Sequence, residues 1–189
     1  MQKIILASQS PRRRQLLEWA EIPFDVVISD TDERYPPGLS FEDVAKYIAH
    51  HKALAVRDKL GAGHPMPILA ADTIVVCDNE ILGKPVDEDD AIRMLETLSG
   101  RDHQVITGVS IISPEREILF ADVTDVSFHA LNKDQIRYYV EQYKPYDKAG
   151  AYAIQEWIGV VGIRSVKGDF YNVMGLPVSR VVQALAHFS

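Results

Sequence analysis

The chain has 189 residues, of which 47% are hydrophobic and 25% charged, a composition typical of one globular domain with a normal core. The formal net charge of -7 disfavours broad nucleic-acid binding, and no apolar run approaches the roughly 18 residues that a membrane span needs. The single cysteine, Cys77, excludes an internal disulfide and predicts a buried thiol. The N-terminal apolar run is too short for a signal peptide, so we expect a cytoplasmic protein with one domain over residues 1–189.

The first half of the chain predicts strands alternating with helices. Ser10 and Pro11 predict the start of the first helix, and the capping-box spacing at Ser40 predicts the start of a second helix that ends near Leu60. The predicted strands cover residues 3–7, 24–28 and 68–77, and a third helix covers residues 87–98. The buried face of the second helix is predicted to comprise Val44, Tyr47, Ile48, His51 and Leu54.

The second half predicts mostly strands. Two long extended segments, residues 103–112 and 117–131, flank the turn SPER and predict a hairpin. Asn132 predicts a helix cap, and a polar loop then leads to a strand over residues 160–166. A last helix follows Gly175-Leu176-Pro177. This order of elements predicts an α/β protein with a mixed sheet.

The stretch LASQSPRRRQLL joins a strand end, a serine-containing turn and a helix start with three arginines. Backbone N–H groups and the helix dipole at such a turn bind phosphate, and Ser8 and Ser10 add hydroxyl donors. Arg12 and Arg13 add guanidinium groups that pair with phosphate oxygens. We predict a phosphate site here, with Arg14 as a solvated helix residue; the alternative is a capped helix with a solvated basic face. Neither a Walker lysine pattern nor G-x-G-x-x-G is present.

Asp72 interrupts the apolar strand ILAADTIVVC. A buried carboxylate is costly unless it is paired or binds a metal, so Asp72 is a candidate general base or metal ligand. A structural hydrogen bond to a loop is the alternative. Asp30, Asp32 and Glu33 crowd the loop SDTDERYP, which by itself predicts a solvated acidic loop. Together with Asp72, such carboxylates suit a hard cation such as magnesium.

Three lysines are candidates for phosphate contacts. Lys52 lies in the second predicted helix, Lys84 lies in the segment GKP, and Lys148 lies in DKAGAY. Each of them, taken alone, also fits a surface lysine. The histidines form no H-E-x-x-H motif, and there is no G-x-S-x-G motif of a serine hydrolase.

Taken together, these motifs resemble the Maf family of nucleoside triphosphate pyrophosphatases. The matching segments are LASQSPRRRQLL, Asp32-Glu33, Lys52-Ala53, AADTIVV, GKP, AIRMLETLSGRDHQVITGV, VTDVSF, DKAGAYAIQ and NVMGLP. The resemblance implies an elongated mixed β-sheet flanked by helices, with two lobes and a central cleft, akin to the inosine triphosphate pyrophosphatases. It also implies hydrolysis of a nucleoside triphosphate to the monophosphate and pyrophosphate, with a divalent metal cation (Mg²⁺ or Mn²⁺).

The resemblance further implies roles for individual residues. Asp72 is the expected proton acceptor, and Arg12, Thr73 and Gln155 match residues associated with the branch that acts on dTTP and UTP. Glu156 stands where the family usually has glycine. The expected substrate-binding residues are Ser8, Ser10, Arg12, Arg13, Lys52, Thr73, Lys84 and Gln155, and the expected metal ligands are Glu33 and Asp72.

Two alternatives stay open at this point. One is a preference for 7-methyl-GTP or inosine triphosphate, although the tryptophan, S-D-Q and S-E-G features of the 7-methyl-GTP branch are absent. The other is a non-enzymatic regulator of septum formation. The resemblance implies a homodimer, and we expect neither a nucleic-acid partner nor a membrane partner.

Overall fold

The computed structural model describes residues 2–188, which form a sheet of seven strands and seven α-helices. The strands are β1 Ile4–Leu6, β2 Phe24–Val26, β3 Ile68–Cys77, β4 Glu80–Leu82, β5 Asp102–Ile112, β6 Glu117–Phe128 and β7 Ile163–Lys167. The helices are α1 Pro11–Trp19, α2 Phe41–Leu60, α3 Glu88–Leu98, α4 Lys133–Tyr143, α5 Trp157–Gly162, α6 Phe170–Met174 and α7 Val178–Leu185. Among these helices, none is long and apolar enough to cross a membrane.

The sheet is mixed, as predicted. Its strand order is β2-β1-β3-β5-β6-β7, and β4 also pairs with β3. Strand β1, next to the edge strand β2, is parallel to both of its neighbours, with Leu6 opposite Val26 of β2 and Leu69 of β3. The pairs β3–β4 and β6–β7 are antiparallel. The predicted mixed α/β class is therefore confirmed.

The described residues group into two compact units. The first unit comprises the chain through Thr73, the segment Thr107–Asp122 and the chain from Gly175 onward. The second unit comprises Ile74–Ile106 and Val123–Met174. A buried cluster of the first unit packs β1, β3 and the end of β5 against α2; its members are Ile5, Ala7, Ala53, Val56, Ile68, Ala70 and Ile112.

The second unit contains a buried aromatic cluster. The rings of His103, Phe128 and Tyr152 meet edge to face, with centroids 5.0–5.4 Å apart. The Tyr152 hydroxyl lies 2.7 Å from His103 Nε2. Cys77 is also buried in this unit, which confirms the prediction from composition, and burial raises the pKa of its thiol.

The buried face of helix α2 overlaps the predicted one except at His51, and Leu54 packs against the core as a partly buried residue. Val44 and Ile48 are buried as expected, but His51 is exposed and the stripe is completed by small residues, namely Ala45, Ala49 and Ala53. The reason is a close approach of β5: a Cβ on Gly108 would come within 2.4 Å of the backbone of residues 45 and 46. Bulky side chains do not fit between these backbones.

Two short helices in the second unit, α5 and α6, were not predicted from the sequence. Residues 160–162, predicted to begin a strand, belong to α5, and β7 begins only at Ile163. Helix α6 follows the predicted turn at residues 167–169. Both helices have only five or six residues, too few for a helical apolar period to stand out from a strand pattern.

Candidate active site

The turn between β1 and α1 is built by two serine side chains. Ser10 is the N-cap of α1, and its Oγ accepts a hydrogen bond from Arg13 N at 3.5 Å. Ser8 is buried, and its Oγ accepts from Ser10 N at 3.2 Å. Pro11 occupies the first helical turn, where its missing N–H costs nothing. The predicted strand–turn–helix geometry is therefore present, with the N-terminus of α1 at the end of this turn.

Arg13 is held by three hydrogen bonds before any ligand binds. Its Nε donates to the carbonyl oxygen of Gly175 at 2.8 Å, and its Nη2 donates to Thr73 Oγ1 at 3.0 Å. Its Nη1 donates to Ser8 Oγ at 3.3 Å. Because a guanidinium carries five N–H donors, two remain for an anion, one on each terminal nitrogen.

Burial of the Arg13 guanidinium lowers its pKa to about 10; nearby Asp72 opposes this shift and Arg12 adds to it. Arg13 therefore stays charged near neutral pH. Its neighbour Arg12 is half-buried. Arg14, expected to be solvated, is also half-buried, and its Nε is shielded from solvent without a hydrogen-bond partner among residues 2–188.

Lys52 joins the two predicted metal ligands. Its Nζ lies 2.6 Å from Asp72 Oδ1 and 2.8 Å from Glu33 Oε1. Lys52 projects from the middle of α2, Asp72 from β3 and Glu33 from the loop after β2. The Asp72 side chain is only 13% exposed. A buried carboxylate at this position was predicted to need a partner, and Lys52 is that partner.

The donor set around Lys52 fits a hard divalent cation. Glu33 and Asp72 supply carboxylate oxygens to a single point, which is the chemistry that magnesium takes when substrate phosphates complete its coordination. No group of three or more histidine, cysteine, aspartate or glutamate side chains suited to a metal occurs in residues 2–188. Asp32 instead bonds to Arg34, which lowers the pKa of its carboxyl group.

The Thr73 hydroxyl is occupied by protein groups. Its Oγ1 accepts from Arg13, lies 2.9 Å from Thr107 Oγ1, and lies 3.5 Å from the carbonyl oxygen of Gly175. A hydroxyl has one donor and two lone pairs, so these contacts engage the Thr73 hydroxyl with protein groups. Neither Thr107 nor the Gly175 carbonyl was predicted from the sequence. A threonine in an apolar strand forms no recognisable motif, and every residue type has a backbone oxygen.

Two predicted substrate-binding residues belong to the second unit. Lys84 is exposed and follows Gly83, whose carbonyl oxygen accepts from Gly150 N at 3.0 Å. Gln155 is exposed at the end of the buried run Ala151–Ile154. Lys148, a further candidate for phosphate contacts, is instead largely buried. Its Nζ lies 2.7 Å from Asp147 Oδ1 and 3.6 Å from Glu156 Oε1.

Comparison with known proteins identifies the family of this chain. The family described as "Maf-like protein" matches residues 3–188. A dTTP/UTP pyrophosphatase of Parabacteroides distasonis is 46% identical over 187 residues, covering 98% of this chain and 96% of the relative. One of Porphyromonas gingivalis is 49% identical over 187 residues, covering 98% and 94%. The solved structure of the Staphylococcus aureus Ham1 protein, at 16% identity, covers 98% of both chains with a TM-score of 0.50 and shares the fold alone. This chain belongs to the Maf family.

Proposed function

We propose that this protein hydrolyses dTTP and UTP to the nucleoside monophosphate and pyrophosphate. The observation that carries the proposal is the Lys52 ammonium group, held between the carboxylates of Asp72 and Glu33 in the unit that also contains the fixed Arg13 guanidinium. Relatives at 46–49% identity over nearly the whole chain bear the name dTTP/UTP pyrophosphatase. A house-cleaning role in nucleotide metabolism is consistent with such a reaction.

The turn at Ser8–Arg13 supports binding of the triphosphate. The N-terminus of α1 offers backbone N–H groups and a partial positive charge, and Arg13 offers two N–H donors in a fixed orientation. Arg12 adds a second guanidinium beside it. Because Arg13 is already anchored, little side-chain entropy is lost when phosphate binds. Lys84 and Gln155 stay predicted substrate-binding residues.

Asp72 is the proposed proton acceptor. Its Oδ1 is bonded to Lys52, and we assign Oδ2 to the attacking water molecule. The water oxygen forms a bond to the α-phosphorus, its proton passes to Asp72, and the bond between the α-phosphorus and the bridging oxygen breaks. Pyrophosphate leaves with that oxygen. Fixed charges placed before the reaction stabilise the charge that develops on the phosphate oxygens.

Glu33 and Asp72 are the proposed ligands of a divalent cation, Mg²⁺ or Mn²⁺. Such a cation would neutralise phosphate charge in the transition state. The protein itself places one positive charge at this position, namely the Lys52 ammonium group, which contacts both carboxylates. The homodimer and the cytoplasmic location expected from the sequence stay predictions.

We assign Thr73 to positioning Arg13 rather than to reading the base. Its hydroxyl contacts Arg13, Thr107 and Gly175, so these hydrogen bonds are all directed at protein groups of the same unit. Recognition of the pyrimidine edge therefore falls to Gln155, whose side-chain amide offers both a donor and an acceptor.

The test is a panel of nucleoside triphosphates assayed for pyrophosphate release with Mg²⁺ or Mn²⁺. We expect dTTP and UTP to be the best substrates and pyrophosphate, not orthophosphate, to be the product. Asp72→Asn should fold and lose about 10²- to 10⁴-fold in kcat, the usual contribution of a general base. Asp25→Asn is the matched control, because Asp25 is an exposed aspartate that also pairs with a lysine, Lys3.

Three outcomes would contradict the proposal. Turnover of 7-methyl-GTP or inosine triphosphate by a wide margin over pyrimidine substrates would overturn the substrate assignment. Full activity in Asp72→Asn would remove Asp72 from the mechanism. Absence of turnover with every triphosphate and both metals would favour a non-enzymatic binding protein.

A further inference from the structure

Gln155 follows a segment whose backbone is fixed on several sides. The Tyr152 hydroxyl bonds to His103, and Ala153 N donates to the Tyr139 hydroxyl at 3.1 Å. The carbonyl oxygen of Ile154 packs directly on Gly159, where a Cβ would come within 1.7 Å of it. Every residue of Ala151–Ile154 is buried, and Gln155 is the first exposed one. The segment therefore presents Gln155 from a rigid base.

Glu156 closes the turn that contains Gln155. Its backbone N donates to the carbonyl oxygen of Ala153 at 3.1 Å, and its own carbonyl oxygen accepts from Gly159 N at 2.9 Å. Its side chain turns back toward the protein, where Oε2 accepts from the Tyr139 hydroxyl. The side chain of Tyr139, which is fully buried, thus bonds to a residue on either side of Gln155.

The negative charge of Glu156 has a positively charged neighbour, Lys148, in the same second unit. Lys148 Nζ lies 3.6 Å from Glu156 Oε1, and the Lys148 side chain is only 10% exposed. Lys148 also pairs with Asp147 at 2.7 Å, so its contact with Glu156 adds a second, longer attraction that favours the inward position of the Glu156 carboxylate. A negative charge next to Gln155 would otherwise lie free beside a polyanionic substrate.

We propose that Tyr139 and Glu156 are positioning residues that fix Gln155 and thereby set discrimination between nucleobases. The inference rests on the proposed function. A side-chain amide discriminates between bases only when its donor and acceptor are held in one orientation, because a wrong base then leaves buried polar groups unpaired. Tyr139 supplies that constraint from both sides of Gln155, and Glu156 holds the Tyr139 hydroxyl in place.

The experiment compares kcat and KM for UTP and CTP in wild type, Tyr139→Phe, Glu156→Gln and Gln155→Ala. UTP and CTP share the triphosphate and differ in the base edge. We expect each variant to lower the ratio of kcat/KM for UTP to that for CTP by about five- to tenfold, mainly through a higher KM for UTP, with kcat changed less than about threefold. The double variant Tyr139→Phe/Gln155→Ala should lose no more discrimination than Gln155→Ala alone, because Tyr139 acts through Gln155.

Matched controls are Tyr138→Phe and Glu141→Gln. They remove an exposed hydroxyl and an exposed carboxylate of α4, the helix that carries Tyr139. Both should keep the wild-type ratio. If Tyr139→Phe fails to fold, as judged by circular dichroism, Glu156→Gln carries the test. An unchanged UTP-to-CTP ratio with equal losses on both substrates would overturn the inference while leaving the pyrophosphatase assignment intact. A wild type that turns over no triphosphate would instead overturn the proposed function, and this inference with it.

Discussion

Arg13 Nε donates to the carbonyl oxygen of Gly175 at 2.8 Å, although 162 positions separate the two residues in the chain. Gly175 adopts a φ of +118°, a conformation that residues with a side chain rarely take. This backbone turns the carbonyl toward Arg13 at the start of the segment that leads into α7. The motifs SPRR and MGLP, at opposite ends of the sequence, thus combine into one anchored guanidinium.

Arg13→Lys should lower kcat/KM for UTP by about 100-fold, although the charge is kept. A lysine ammonium cannot reproduce the planar fork that bonds to Gly175, Thr73 and Ser8 while still facing a phosphate. Steady-state kinetics of pyrophosphate release measure the loss. Arg14→Lys on the same helix is the control and should stay within about threefold of wild type. Wild-type kinetics in Arg13→Lys would show that charge alone matters at this position.

Thr73→Val should lower kcat/KM about tenfold for every triphosphate alike, because it deprives Arg13 Nη2 of its acceptor. The ratio of UTP to CTP turnover should not change. Thr73→Ser, which keeps the hydroxyl, should restore most of the activity. A selective loss on UTP relative to CTP in Thr73→Val would instead mean that Thr73 contacts the base, as the family resemblance implies.

Local features of the site were predictable from the sequence, and its long-range contacts were not. Ser10 and Pro11 predict the helix start because capping depends on residues within one turn. Asp72 predicts a partner because an unpaired carboxylate in an apolar strand is costly. The identity of that partner, Lys52, depends on how α2 packs on β3, and no local pattern encodes it. The same holds for the Gly175 carbonyl, since any residue type supplies a backbone oxygen.

Two predictions outside the site were also wrong: the burial of His51 in α2 and the start of a strand where α5 lies. His51 was assigned to the buried face of α2 because it fits the helical period, yet the small residue Ala53 takes that side. The close approach of Gly108 brings β5 against the Ala45 side of the helix, and it involves residues 63 positions apart in the sequence. Helix α5 was missed because its sequence, WIGVVG, is apolar and contains two adjacent valines, a composition that is also typical of a buried strand.

Lys52→Gln should reduce kcat by about 100-fold or more and destabilise the protein by about 2 kcal/mol. The variant leaves the carboxylates of Asp72 and Glu33 near each other without their shared cation. Pyrophosphate release and urea unfolding measure the two effects, and added Mg²⁺ should recover part of the stability if the carboxylates bind it. Lys46→Gln, on the same helix, removes only a surface ion pair with Asp43 and should change neither quantity appreciably. Equal behaviour of the two variants would refute the special role of Lys52.

His103 should make the protein less stable as the pH falls from 6.5 toward 4. Burial lowers the pKa of His103 from 6.5 to about 4, with Asp102 opposing the shift, so the imidazole stays almost entirely neutral in the folded state down to about pH 5. The unfolded chain, in contrast, takes up a proton as the pH falls below about 6.5, which favours unfolding. Between pH 7 and pH 5 this difference amounts to about 2 kcal/mol.

Urea unfolding at pH 7, 6 and 5 tests this expectation in wild type and in His103→Gln. Glutamine cannot take up the proton, yet its amide can still bond to the Tyr152 hydroxyl that lies 2.7 Å from His103 Nε2. The variant should therefore be less stable than wild type at pH 7 but lose about 2 kcal/mol less on going to pH 5. The lowered pKa values of Asp43 and Asp90 act below the unfolded value of 3.8, outside this range, and do not mask the effect. An equal loss of stability in both proteins between pH 7 and pH 5 would exclude His103 as its source.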